Sequence, residues 1–171
     1  MDTKDFIHQF AEVAARYCAW AESELSDVYD GLRLRTYDIK SPQMLLAELH
    51  WAILQLQLPD LEFHAEYEEI IEKSRNQQLK IYPKFAKNLP IVHYWDVFNP
   101  LALEDIEPLC NSLADDLADI YHDLKPGLSL YESQHLFEAV WYWRFHFDIH
   151  WGQHLVGAQR AIHQYISDQG V

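Results

Sequence analysis

The sequence predicts an all-α fold: a single-domain bundle of five or six helices over residues 1–171, with a long central C-terminal helix. Three observations carry this expectation. Apolar residues recur at helical spacing through most of the chain. Pro59, Pro83, Pro90 and Pro100 punctuate the periodic segments rather than falling inside them. The stretch Glu132–Ser167 contains no proline, holds three of the six tryptophans, and is apolar on two faces.

The first helix is expected from about Thr3 to about Glu24, capped by Asp2 or Thr3. Phe6, Phe10, Val13, Tyr17 and Trp20 share its stripe, and Glu12 and Arg16 are placed for an i,i+4 pair. Residues 26–40 read as an irregular connector. Leu32 to Arg35 alternate as a strand would, but no second strand-like segment lies nearby to pair with them. The second helix starts with Ser41 as N-cap and Pro42 at the first helical position, and Pro59 ends it. Leu45, Leu49, Ala52, Ile53 and Leu56 form one face and Met44, Trp51, Leu54 and Leu58 a second, so this helix is expected to be mostly buried.

The third helix is expected to begin near Asp60, to turn Phe63, Tyr67, Ile70 and Ile71 inward, and to kink or end at Pro83. Next comes the proline-bounded stretch 89–100. Its Tyr94, Trp95 and Phe98 have two readings: a plug over the end of the bundle, or the wall of a pocket. In the fourth helix Ile106, Leu109, Leu113, Leu117, Ile120 and Leu124 form one stripe. Pro108 falls in its first turn, and Lys125-Pro126-Gly127 interrupts or kinks it. The fifth helix puts Val140, Trp143, Phe147, His150, Trp151 and His154 on one face. Trp141, Phe145, Ile149 and Val156 lie opposite, which predicts a helix buried on nearly all sides and about 50 Å long.

Composition narrows the function classes. A hydrophobic content of 49% and an aromatic content of 14% fit a folded core. A net charge of -14, from 27 acidic against 13 basic residues, argues against nucleic acid and against anionic membrane surfaces. Cys18 and Cys110 show neither CxxC spacing nor a disulfide framework. The start MDTKDF has no signal-peptide core, so a cytoplasmic location is expected. No phosphate-binding glycine loop or nucleophile elbow occurs, and nothing calls for a cofactor.

Two segments resemble a known family: DDLADIYHDLKPGL (115–128) and WRFHFDIHWGQHL (143–155). They are similar to a bacterial family of domains of unknown function, number 5063 in that series. The matching residues are Asp116, Leu117, Asp119, Ile120, Tyr121, Asp123 and Leu124, then Phe147, His150, Trp151, Gly152 and His154. The resemblance covers most of the chain. It implies a bacterial all-α domain and assigns no activity and no catalytic residue.

Chemistry is concentrated in those same segments. His146, His150 and His154 recur every four residues and so stack along one helix face. Phe147 and Trp151, not glutamate, come directly after the first two, which removes the metalloprotease pattern. Glu132-Ser-Gln-His135 fits the di-metal bundle motif once, and Asp119-Ile-Tyr-His122 is a shortened form of it. Asp116, Asp119 and Asp123 share a flank of the fourth helix. They can be a solvated face, a polar network with Arg144, His150 or His154, or, with the two histidines, ligands for a divalent cation. For the three aspartates a solvated face is the first reading and a polar network of Asp116, Asp119, Asp123, Arg144, His150 and His154 the second. His150 and His154 are expected as core histidines bonded to Asp, Tyr or backbone groups, and the metal set His150, His154, Asp116 and Asp119 is the alternative.

Two function hypotheses emerge. The favoured one is a non-catalytic protein-interaction module, with self-association as a homodimer through the second apolar faces of helices two and five. The alternative is a divalent-metal-binding bundle or a metal-dependent enzyme. Whether the protein is an enzyme is left open.

Overall fold

The computed structural model describes residues 3–23, 39–59, 66–102, 104 and 107–169. The helices, in order, are α1 (Thr3–Glu22), α2 (Lys40–Ile53), α3 (Glu66–Gln77) and α4 (Tyr82–Asn88). A hairpin of β1 (His93–Val97) and β2 (Pro108–Ser112) comes next, then α5 (Leu113–Glu132). The chain closes with α6 (Leu136–His146), a π-helical turn (Phe147–Trp151) and α7 (Gly152–Gln169), which run on without a break as one long C-terminal rod. The fold is mostly α, as the sequence predicts. Most of the 26–40 connector, the expected start of helix three and the position of Ile106 lie outside the described residues. No helix among the described residues is long and apolar enough to cross a membrane.

α5 packs against α1, α3, α4, α6, α7 and β2. Its Leu113, Leu117, Ile120 and Leu124 are fully buried, on the stripe the periodicity predicts. The rod lies against α5 through Trp143, while Trp151 packs on Phe10 of α1 and on Phe147; both tryptophans are at 0% exposure. Each indole N–H also donates to a backbone carbonyl, Trp143 to Leu124 at 3.1 Å and Trp151 to Trp143 at 3.2 Å. The Trp143 bond ties the rod to α5, and the Trp151 bond is internal to the rod; each buried ring has its one polar atom satisfied.

Several boundaries differ from the sequence expectation, each for a local reason. The fourth helix starts at Leu113, not before Pro108. Ser112 is its N-cap, accepting from the Asp115 backbone N–H. Leu109 and Pro108 belong instead to β2, which pairs antiparallel with β1 (Trp95 opposite Cys110, Val97 opposite Pro108). The aromatic stretch is therefore a strand, and it is no plug: Trp95 is 70% exposed and Phe98 84%.

Helix α5 also continues through Pro126 without interruption. Proline leaves the carbonyl four residues earlier, that of His122, without its helical donor. The Gln78 side chain supplies one at 2.8 Å, while its carbonyl oxygen meets His122 Nδ1 at 2.7 Å. The adjacent Gly127 admits the Trp143 ring, since a Cβ there would stand 2.0 Å from Trp143 Nε1.

Pro83 does not kink α3, which stops at Gln77; it sits in the first turn of the separate helix α4. α2 begins at Lys40, so Ser41 is already helical, and it ends at Ile53. Arg16 pairs with Glu48 across the α1–α2 contact instead of with Glu12.

The second apolar faces are not buried. Met44, Trp51, Leu54 and Leu58 on and after α2 are exposed, as are Phe145, Ile149 and Val156 on the rod. Periodicity identifies an apolar face but does not say whether the same chain covers it.

Candidate functional site

The antiparallel run of α5 and the rod brings the two motif segments side by side. Helical spacing puts Asp116, Asp119 and Asp123 on one flank of α5. The facing flank of the rod carries His150, in the π-helical turn, and His154, two residues into α7. A π turn widens the helix by one residue and shifts the phase of the turns beyond it. Gly152 lets it close, because a Cβ there would stand 2.5 Å from the Phe147 carbonyl oxygen.

Each histidine meets its own aspartate. His154 Nδ1 lies 2.9 Å from Asp116 Oδ1, and His150 Nδ1 lies 2.7 Å from Asp123 Oδ2. The two rings are 4.9 Å apart, centroid to centroid, and steeply inclined. With Nδ1–H donating to a carboxylate, each neutral imidazole keeps its lone pair on Nε2. Asp119 lies between the pairs, with Oδ2 3.6 Å from His154 Nε2. One ligand atom from each of Asp119, His150 and His154 falls within 4.8 Å of the others.

The electrostatics fit this arrangement. The Asp116 hydrogen bond raises the His154 pKa, against the opposing effect of burial. Burial raises the Asp119 pKa, and Asp115 and Asp123 push the same way while His154 and His150 oppose them. Asp119 is thus a carboxylate whose charge is not fully compensated by its surroundings.

Arg144 is not part of this cluster, contrary to the sequence expectation. It pairs with Asp148 at 3.0 Å and reaches the Ile53 carbonyl at 3.4 Å, on the α2 side of the rod. The i,i+4 placement of Asp148 gives it a carboxylate on its own helix. His146 also stands apart, with Nδ1 on the Tyr142 carbonyl at 2.8 Å.

Tyr94 joins the site. Its hydroxyl donates to Asp116 Oδ2 at 2.7 Å, and burial, then Asp116, push its pKa well up. A cleft of about 470 Å³ lies between the hairpin and α7, lined among others by Val97, Phe98, Leu109, His154, Val156 and Arg160. Of the three aromatic residues read as a pocket wall, Phe98 is a wall of this cleft and Tyr94 reaches Asp116. Trp95 contributes its backbone carbonyl, which accepts from Arg160 at 2.8 Å. The sequence signals the aromatic stretch but not the Tyr94–Asp116 contact, which joins residues 22 apart across a hairpin.

A mostly helical bundle with a partly exposed His–Asp cluster between α5 and the C-terminal rod defines the class. The chain belongs to the family described as Domain of unknown function (DUF5063), whose model matches residues 1–168. Among solved structures it is similar to protein BF1032 from Bacteroides fragilis, at 21% identity and a TM-score of 0.60, over 94% of this chain and 91% of that one. That likeness is one of fold alone. No curated protein matches the chain.

Proposed function

We propose that this protein binds a divalent transition-metal ion through Asp119, His150 and His154. Asp116 and Asp123 act as the carboxylates that orient the two imidazoles. The observation that carries this is the direction of the rings. Both Nδ1 atoms are tied to carboxylates, which leaves the Nε2 atoms as the ligand atoms, and that of His154 already stands 3.6 Å from Asp119 Oδ2. A carboxylate behind each ligating histidine is the usual support of such a ligand, fixing its tautomer and raising its basicity.

Ligand atoms around a tetrahedral ion with bonds of about 2.0–2.1 Å stand roughly 3.4 Å apart. The His154–Asp119 separation of 3.6 Å is close to that, and His150, with its side chain 45% exposed, has room to adjust. Two imidazoles and one carboxylate suit zinc, iron, cobalt or manganese better than calcium or magnesium. Three protein ligands leave positions open for water or substrate, the pattern of reactive rather than purely structural centres. The competing account is a metal-free polar network that satisfies buried groups.

Calorimetric titration with Zn²⁺ and with Co²⁺ separates the two. One equivalent should bind, and His150→Ala with His154→Ala should abolish it. Absence of binding at micromolar protein, or equal binding by the double variant, leaves the network account.

A second reading, a protein-interaction module that self-associates, is favoured by the exposed Trp51 and Leu54 on and after α2 and by Phe145 and Ile149 on the rod. Light scattering at micromolar concentration tests it. A mass above that of the 20.2 kDa chain supports it, and a strict monomer removes it.

A further inference from the structure

We infer that Tyr94 is a positioning residue of this metal site, acting through Asp116 on His154, and that Gly157 is glycine in order to admit it. The inference rests on the metal reading above and adds a brace from a separate element. Asp116 is only 3% exposed, so its two oxygens must find partners inside the protein. One takes the His154 N–H, and a carboxylate held by that bond alone is free to swing about its Cβ. The Tyr94 hydroxyl takes the other oxygen and fixes the carboxylate plane, and with it the direction in which His154 Nε2 points.

Tyr94 comes from β1, and the structure holds that strand where the phenol can reach. Val92, just before β1, accepts from the backbone N–H of Leu113 at 3.2 Å, at the first residue of α5. On the other side Arg160 of α7 pairs with Asp96 at 2.8 Å and donates to the Trp95 carbonyl at 2.8 Å. Between these ties the Tyr94 hydroxyl crosses α7 at Gly157. A Cβ there would stand 2.4 Å from the hydroxyl oxygen and 3.4 Å from the ring carbon that bears it. The collision is with the hydroxyl; the ring itself is at ordinary contact distance. Glycine inside a helix disfavours that helix relative to alanine, so its presence at a buried position of α7 calls for a packing reason, and the phenol supplies one.

The geometry sets up a thermodynamic cycle. Tyr94→Phe keeps the ring and removes the hydroxyl. Its affinity for Co²⁺ should fall by roughly tenfold, the low end for loss of an outer-shell partner. The visible Co²⁺ absorption should change in intensity or position, because the ligand geometry has loosened. Gly157→Ala should weaken binding similarly by displacing the phenol. In the Tyr94→Phe background the same alanine should cost no further affinity, since the hydroxyl it collides with is gone. Helical content by circular dichroism confirms that each variant is folded.

Wild-type affinity and an unchanged Co²⁺ spectrum in Tyr94→Phe overturn the inference. So does an alanine effect of equal size in both backgrounds, which would come from α7 itself. If the wild type takes up no Co²⁺, the metal reading fails and this inference fails with it.

Discussion

The two histidine–aspartate pairs share their chemistry and differ in their enclosure. In the His154–Asp116 pair the carboxylate side chain is 4% exposed and both oxygens are engaged, by His154 and Tyr94. In the His150–Asp123 pair the imidazole is 45% exposed and the carboxylate 14%. The first is a locked arm, set in α7 and braced by the hairpin. The second is an open arm, set in the π-helical turn. A buried carboxylate that loses its partner has no water to replace it, whereas an exposed imidazole does. The same hydrogen bond is therefore worth more in the first pair than in the second, and one arm of the site is held rigid while the other can adapt to an incoming ion.

The strongest way to break the comparison is to remove what both arms stand on. Trp151, the residue after His150, is fully buried against the Phe10 and Phe147 rings. Trp151→Ala should destabilise the protein by roughly 3–5 kcal/mol in chemical denaturation. A near-neutral result would mean that the rod does not depend on this ring for its seat.

Next in size is the contrast between the aspartates. Asp116→Asn should weaken metal binding by roughly 10–100-fold and lower stability by about 1–3 kcal/mol, because it disturbs a buried, doubly bonded carboxylate. Asp123→Asn should do less on both counts: a few-fold in affinity and no more than about 1 kcal/mol, as expected for a partly solvated pair. Equal effects in calorimetry and denaturation would erase the distinction between the arms.

Much of this molecule was legible in the sequence. The stripes of α1 and α5 and the length of the C-terminal rod come from the 3.6-residue period, and burial at Trp143, Trp151 and Leu117 agrees with the expected phase. The polar residues on the α5 flank and on the rod stand out because an apolar stripe does not need them.

The pairing was not legible. Which aspartate faces which histidine depends on the relative register of two helices and on a π turn, and periodicity assumes a constant phase. The hairpin was hidden because each strand has five residues and β2 opens on a proline. Passage of α5 through Pro126 depends on Gln78, which reaches the orphaned His122 carbonyl from 44 positions earlier in the chain. Arg144 was misplaced for the opposite reason: a partner four residues along its own helix, Asp148, outcompeted the distant acidic flank.

The most direct test is to locate the ion. Crystals grown with one equivalent of Zn²⁺ and measured on both sides of the zinc absorption edge should show one anomalous peak. It should lie about 2.0–2.2 Å from Nε2 of His150, Nε2 of His154 and one carboxylate oxygen of Asp119, with Asp123 and Asp116 still on the two Nδ1 atoms. No peak between these three residues, or zinc bound only at other histidines such as His146 or His163, would contradict the metal site and leave the two pairs as internal polar packing.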